Sequence, residues 1–397
     1  MIDQVIQEKR NCTGCHACAN ICPQACISMR GDDEGFLYPK VDYDRCIRCG
    51  KCIDVCPIFH EPERNDDPIA FACINIDDDK RMRSSSGGIF TLLAEEVLAC
   101  GGVVFGAAFD DSFVVRHRLV ESIEDIPVLQ GSKYVQSIIG DSFCQVKVYL
   151  DKDRMVLFSG TPCQIAGLKC FLEKDYEKLI AVDIVCHGVP SPSVWRKYIE
   201  FREHKAGSCV TGIRFRDKSK GWKDYSVAFL FENGKEYRRI FRKDIYMIVF
   251  LKNAVLRPSC YHCQFKGINR CSDITLADFW GVVHVCENFD DDKGTSLVLS
   301  HSNTGKKMLE RLSSRIISRQ VDVHEALSYN QSALMSSIRN SLRERYLKEL
   351  NSENFTQLSN KYFSDSFGIR VKKFVSGLLH KTKLKRKKKP IRSNRSK

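Results

Sequence analysis

Eight of the nine cysteines in the first 56 residues fall into two identical frames. Cys12, Cys15 and Cys18 are followed by Cys22-Pro23, and Cys46, Cys49 and Cys52 by Cys56-Pro57. Each run reads C-x2-C-x2-C-x3-C-P, the bacterial two-cluster ferredoxin spacing, in which the fourth cysteine of each run ligates the other cluster. The crossed rule assigns Cys12, Cys15, Cys18 and Cys56 to one 4Fe–4S cluster, and Cys46, Cys49, Cys52 and Cys22 to a second. The proline after each run ends the ligand loop by fixing φ and removing a backbone donor. Zinc knuckles use similar C-x2-C units. Two complete runs with both prolines favour iron–sulfur chemistry and single-electron transfer instead.

The 397 residues leave ample chain for a sizeable core beyond this module, with a length prior of roughly two to three domains. Twenty cysteines would suggest disulfides in a secreted chain, but their spacing points to metal. The N-terminus leads straight to the first cysteine run with no secretory pattern, and no apolar run approaches the roughly 18–20 residues that span a bilayer. A reducing cytoplasm is the expected compartment. The net charge of +13 is confined to one end. Thirteen of the 62 Lys/Arg lie in residues 368–397, which hold no Asp or Glu, and the 49 that remain equal the 49 acidic residues.

Residues 1–60 read as the dicluster module, and the polar, twice-proline segment His60–Pro68 as a linker. From 69 onward strands and helices alternate. Strands are expected at Phe71–Ile74, Val103–Phe109, Arg154–Ser159, Leu179–Val185, Tyr225–Phe231 and Asp273–Ala277. Helices are expected at Ile89–Ala99, whose apolar residues at 89, 92, 93 and 97 share a face, at Gln164–Phe171 and at Ser193–Phe201. The expectation is an α/β (mixed α+β) catalytic body behind an α+β ferredoxin-like dicluster domain. Its segments would be 69–150, 151–325 and a helical, polar, basic extension over 326–397.

Two turns of the body suit an anion. Ser159-Gly160-Thr161-Pro162-Cys163-Gln164 carries a strand into a helix, whose first N–H groups are free to bind phosphate. It is not a P-loop, because the Gly-Lys-Ser/Thr ending is absent. Ser84-Ser85-Ser86-Gly87-Gly88 is a second serine-rich helix start, equally suited to ordinary capping. A further cysteine set comprises Cys163, Cys186, Cys260, Cys263 and Cys271. Any four would hold a third 4Fe–4S cluster; zinc competes, since four-cysteine sites for either metal look alike. A nucleophilic Cys163 lacks an assignable His/Asp context. Cys26, Cys73, Cys100, Cys144, Cys170, Cys209 and Cys286 have no paired spacing and read mostly as core thiols.

Over roughly residues 1–325 the chain resembles the beta subunits of coenzyme F420 hydrogenase/dehydrogenase. The resemblance rests on Ser84–Phe90, Gln130-Gly131-Ser132-Lys133-Tyr134, Ser159–Gln164, Asp183-Ile184-Val185-Cys186-His187-Gly188-Val189-Pro190, and Cys260/Cys263 with Asp273–Gly281. It implies FAD near Ser86, Gly87, Gly88, Gly131, Ser132, Lys133 and Tyr134, with Gly160 and Thr161 close by. It favours Cys163, Cys186, Cys260 and Cys263 as ligands of the third cluster, leaving Cys271 as the alternate. Lys133 would then be a cation beside the flavin, against the competing reading of a solvated surface lysine. The resemblance also implies an oxidoreductase that passes electrons between a hydride carrier, F420-like or other, and one-electron carriers through FAD and 4Fe–4S clusters. Similar long bacterial members occur beside polysaccharide-assembly genes, so the family does not fix the substrate. Two alternatives remain: a non-catalytic electron-transfer subunit, and a membrane-associated scaffold of a polysaccharide-assembly complex.

The basic C-terminal extension is not part of that family pattern. Phe367, Val371, Phe374, Val375 and Leu378 fall at helical spacing beside Lys372, Lys373 and the basic run from Lys381. This pattern suits an anionic membrane surface on the inner face. A plain solubilising tail and a nucleic-acid contact are the other readings; the aromatic platforms of a nucleic-acid module are missing.

Overall fold

The structure is a computed structural model and describes residues 1–350 and 353–363; the expected amphipathic helix and basic run of 367–397 lie outside the described residues. In the N-terminal module, β1 (Ile27–Gly31) and β2 (Leu37–Val41) form an antiparallel hairpin in the register Ile27↔Val41. Short helices at Ala17–Asn20 and Lys51–Asp54 carry the third cysteine of each run. The repeat is written in the backbone. Gly14 and Arg48, at the same position of each run, have φ of 70° and 56°; His16 and Gly50, also equivalent, have 68° and 80°. At these paired positions each run thus places one non-glycine residue in left-handed space that glycine enters freely. Ile2, Ile27 and Val41 pack with Cys18, Cys26, Cys52 and Cys56 in a small core.

The body is organised by an eight-stranded mixed sheet, ordered β13-β3-β12-β11-β7-β6-β4-β5. Its strands are β3 (Ile69–Asn75), β4 (Val103–Phe109), β5 (Val115–Val120), β6 (Val156–Gly160), β7 (Leu179–Ile184), β11 (Ile274–Asp278), β12 (Ser296–Ser300) and β13 (Ile316–Val321). At its centre β4, β6, β7 and β11 run parallel. Parallel strands are covered on both faces and read as continuous apolar runs. Accordingly Val104 and Ala108 of β4 face the core with the 89–99 helix, while Val103 and Phe105 face the core with the 142–151 and 162–172 helices. A separate antiparallel sheet holds β8 (Val210–Asp217), β9 (Ser226–Phe231) and β10 (Glu236–Ile240).

The expected elements are present; Val103–Phe109 and Ile89–Ala99 keep their bounds and the others have shifted ends. The helix expected at 193–201 spans Pro192–Ala206: the Ser191 side chain caps it by accepting from Val194 N, Pro192 opens it, and Gly207 closes it at φ 67°. The expected polar extension needs correcting in its described part. The helices Arg343–Glu349 and Phe355–Phe363 bury Tyr346, Leu347, Phe355, Leu358 and Phe363 in the same core as β8, β9 and the 245–251 helix. The helical period was legible, but the apolar face finds its partner only in tertiary packing. The linker is likewise packed: Asn65 N donates to Arg270 O at 2.8 Å and Arg64 Nη1 to Lys266 O at 3.0 Å.

The module is fastened to the body at the tip of its hairpin. Glu34 forms a bidentate pair with buried Arg343, and its carbonyl accepts the Ser191 hydroxyl at 2.5 Å. Among the described residues no helix is long and apolar enough to cross a membrane.

Candidate metal centres and flavin site

The parallel strands put two body cysteines side by side. β6 pairs with β7 in the register Gly160↔Asp183. Cys163 and Cys186 each lie three residues beyond that pair, at the carboxyl ends where open α/β sheets build their sites. The chain after Cys186 then pairs with residues 255–257: Ser191 N donates to Val255 O and Arg257 N to Val189 O, both at 2.9 Å. This brings in the 3-10 turn Pro258–His262 and Cys263. Val189 N donates to Cys260 Sγ at 3.4 Å, which locks the turn against the Cys186 loop.

The thiols' surroundings sort the five cysteines. Burial pushes Cys163 well above the ordinary thiol range, and repulsion from Cys263, Cys186 and Cys260 adds to it. Burial likewise raises Cys260 to about 12, with Cys186 and Cys263 contributing. It raises Cys186 too, against the pull of Lys266 and Arg270. Cys271 belongs elsewhere. Its thiol, raised to about 12 by burial, sits with Asp183, Lys169 and Cys170.

In the module the runs approach one another. Burial raises Cys15 to about 12, followed by repulsion from Cys56 of the second run. Cys18, raised well above its usual value by burial, feels Cys15, Cys12, Cys56 and, least of these, Cys52. Cys22 of the first run lines a cavity with Cys46, Cys49 and Cys52 of the second. Cys26 proves to be more than a distant core thiol: its Sγ lies 3.3 Å from Cys22 Sγ.

No three His, Cys, Asp or Glu side chains among the described residues converge as they would on a single ion. Zinc gathers four thiolates at about 2.3 Å around one centre. A 4Fe–4S cubane takes each thiolate on a different iron. The charge around the quartet fits a thiolate-held cluster. Arg257 sits beside Cys260, and Lys266 donates both to Cys186 O and to Ser332 O.

The two segments expected at a flavin meet. Ser132 N and Oγ lie 2.7 and 2.9 Å from Ser85 Oγ, and Gln130 Nε2 donates to Thr91 Oγ1 at 3.0 Å. The Gly131 Cα faces open space at φ 79°. Gly160 and Thr161 lie at the end of β6, with Thr161 Oγ1 3.2 Å from Cys163 Sγ. Beside them His117 donates from Nε2 to Ser159 O at 2.8 Å and accepts at Nδ1 from Ser137 at 2.7 Å. Several expected contacts are already taken within the chain. Ser86 Oγ donates to Thr295 O and Gly87 N to Ser296 Oγ. Lys133 folds back on its own loop, donating to Gln130 O at 2.8 Å and Val128 O at 3.1 Å, and desolvation lowers it to about 7.

Two buried donors at this place have no partner among the described residues: Asn75 Nδ2 and Arg216 Nε. A Cβ on Gly88 would come within 3.2 Å of Asn75 Nδ2, at the start of the 89–99 helix. Arg216 pairs with Asp278, donates to Ser85 O at 3.1 Å and reaches Tyr134 Oη at 3.2 Å. Orphaned buried donors call for an explanation, and a phosphate-bearing, acceptor-rich ligand supplies one. Sequence reasoning passed over Ser85, Asn75 and Arg216. Ser85 lay inside the recognised serine run, but the other two lie on β3 and β8 with no local signal.

A cysteine-rich ferredoxin-like module set on a mixed sheet, with further cysteines at the parallel strand ends, defines the class of an iron–sulfur protein. Residues 11–59 match the 4Fe-4S dicluster domain. Residues 153–324 match the family of the C-terminal part of the coenzyme F420 hydrogenase/dehydrogenase beta subunit. The module is similar to NADH-quinone oxidoreductase subunit I of Pelobacter propionicus, 39% identical over 57 residues, covering 12% of this chain and 31% of that one. A similar match is subunit I 2 of Geobacter metallireducens, 35% identical over 60 residues, covering 14% of this chain and 46% of that one. The chain thus spans less than half the length of these curated relatives. Among solved structures, the F420-reducing [NiFe] hydrogenase complex of Methanosarcina barkeri shows a looser likeness. It has a TM-score of 0.44 and 15% identity, over 73% of this chain and 96% of that one.

Proposed function

We propose that this chain is an iron–sulfur flavoprotein oxidoreductase passing electrons between a two-electron hydride carrier, F420-like or other, and one-electron carriers. One helix carries the reading. Cys163 stands in the first turn of the 162–172 helix, and a Cβ placed on Gly167 would lie 2.9 Å from Cys15 Sγ. Four residues of helix rise only about 6 Å. The body quartet and the first set of module cysteines are therefore neighbours, and the flavin segments adjoin the same β6 end.

Bound there, the 4Fe–4S clusters would supply one-electron chemistry and FAD the exchange between a hydride and single electrons. Cys12, Cys15, Cys18 and Cys56 would hold one cluster, Cys22, Cys46, Cys49 and Cys52 the second, and Cys163, Cys186, Cys260 and Cys263 the third. The absence of a Gly167 side chain lets the helix approach the Cys15 loop. Asn75 and Arg216 offer donors to the flavin, and the Ser85–Ser132 contact shapes the gap between its two segments. Lys133 acts through its loop rather than as a free cation. The exposed Cys49 suggests that the second module cluster faces the redox partner protein. Residues 367–397 would hold the protein to an anionic membrane surface.

Anaerobic purification tests this reading. About twelve irons with equal labile sulfide, acid-extractable FAD and reduction by F420H2 or a nicotinamide donor are expected, at four irons per cubane. Full iron without flavin would leave a non-catalytic electron-transfer subunit, and clusters that no donor reduces would favour the scaffold.

A further inference from the structure

Six arginines are buried among the described residues: Arg81, Arg202, Arg216, Arg257, Arg270 and Arg343. Five of them have a carboxylate within 4 Å: Asp291, Asp244, Asp278, Asp183 and Glu34, in the order of those arginines. Arg257 has none among the described residues, although it is 0% exposed. Its Nε donates to Cys12 O at 2.8 Å, Nη2 to Leu37 O at 2.9 Å and Nη1 to Gln136 Oε1 at 2.9 Å. Tyr38 and Phe36 present ring faces at 4.4 and 5.3 Å. These partners satisfy its hydrogen bonds but carry no formal negative charge.

A guanidinium does not escape burial by losing its proton. Buried charges are paired or coordinate metals, and a guanidinium, having only donors, must be paired. The position of Arg257 identifies the missing charge. Its side chain reaches the Cys12 loop of the module, where a Cβ on Gly14 would lie 2.8 Å from Nη1. Its own carbonyl accepts from Cys260 N at 2.9 Å, so its backbone opens the turn that carries two body cysteines. One cation therefore lies between the first module site and the body quartet.

Resting on the cluster assignment proposed above, we propose that Arg257 is the shared counter-charge of these two thiolate-held sites and raises the reduction potential of both. Cluster charge, hydrogen bonding to the ligands and burial set such potentials. A fixed positive charge favours the reduced form, which carries one more negative charge. Gln136 is part of the device: its Oε1 accepts from Arg257 while its Nε2 donates to Thr13 O at 2.9 Å, which orients the guanidinium toward the cysteine loop.

The test uses the full chain, purified anaerobically, with iron and sulfide counts and an EPR-monitored redox titration. Arg257→Gln should lower both midpoints, changing the reduced-to-oxidised ratio at fixed poise at least tenfold, or about 59 mV for one electron. Arg257→Lys, which keeps the charge, should restore most of the shift. Gln136→Glu keeps the arginine but adds a negative charge beside it, and should lower the same midpoints; it serves if Arg257→Gln fails to fold. Unchanged midpoints at full iron in Arg257→Gln or Gln136→Glu would overturn the proposal. So would equal shifts in Arg257→Gln and Arg257→Lys, which would mark a packing effect. Failure of the cluster assignment shows separately: wild type would hold about eight irons rather than about twelve. That result would remove the body half of the proposal, while the module midpoint still decides the other half.

Discussion

The two cysteine regions of this protein are built on opposite principles. In the module, ligands come from short loops with fixed spacing, and equivalent residues of the two runs share left-handed backbone, as at His16 and Gly50. In the body, Cys163 and Cys186 follow adjacent parallel strands, while Cys260 and Cys263 arrive on a turn paired to the Cys186 loop. The first arrangement is local and survives transplantation between proteins; the second exists only when a whole sheet has formed. Their electrical settings are alike at depth: burial raises the thiols of Cys15 and Cys18 in the module as it does those of Cys163 and Cys260 in the body, while Cys49 of the module is exposed.

Single ligand replacements should have the largest effects and break the comparison most directly. Cys56→Ser should remove about four irons belonging to the cluster of the first run, and Cys22→Ser about four from the other. EPR with iron counting reads this, and loss confined to the mutated run would replace crossed ligation by local closure. In the body, Cys263→Ser should likewise lose about four irons and Cys271→Ser none. The reverse result would exchange the two as ligands.

Acid should weaken the body next. Burial lowers His117 to about 4 and His301 to about 3, so both are neutral when folded. The unfolded chain binds more protons below pH 6.5, so stability present at neutral pH is lost as pH falls from 6.5 toward those values. At pH 5 the loss should be about 2 kcal/mol per histidine. Urea unfolding at pH 7 and pH 5 measures it, with His301→Asn expected to flatten the dependence. A slope unchanged by that variant would show that His301 does not carry it.

Gly167→Ala sharpens the junction between the regions. The added methyl would meet Cys15 Cβ at 2.8 Å. Overpacking of this kind costs about 1–3 kcal/mol. It should perturb the EPR signal of the first module cluster and leave the second unchanged; identical spectra would mean that the helix yields without touching the cysteine loop. The smallest effect on the folded body should come from deleting 367–397. Iron and flavin should stay constant while binding to anionic vesicles falls, each basic residue contributing about 1 kcal/mol near such a surface. Equal vesicle binding with and without the segment would reject the membrane reading.

Much of the sheet was readable because its central strands are buried on both faces. Val103–Phe109 is apolar without interruption and becomes β4 over the same residues. Strand and helix ends were less legible, since Val156 rather than Arg154 begins β6. The packed role of 343–363 was hidden, because its apolar stripe has meaning only opposite β8, β9 and the 245–251 helix. At the site, serine and glycine runs marked Ser84–Gly88 and Gly131–Ser132, whereas Asn75 and Arg216 sit in strands whose local pattern says nothing about a ligand.

The sequence by itself determined the ferredoxin module, because the geometry of a 4Fe–4S loop is encoded in intervals of two and three residues and a closing proline. It also determined the separation of charge, with a neutral body and a basic end. Only the tertiary structure set Cys271 apart from the other body cysteines, beside Asp183, Lys169 and Cys170. Only it placed Gly167 against Cys15, and it alone left Arg257 without a carboxylate between two cysteine sites. Those facts depend on strand register and on the packing of segments more than a hundred residues apart, and short-range spacing carries no record of either.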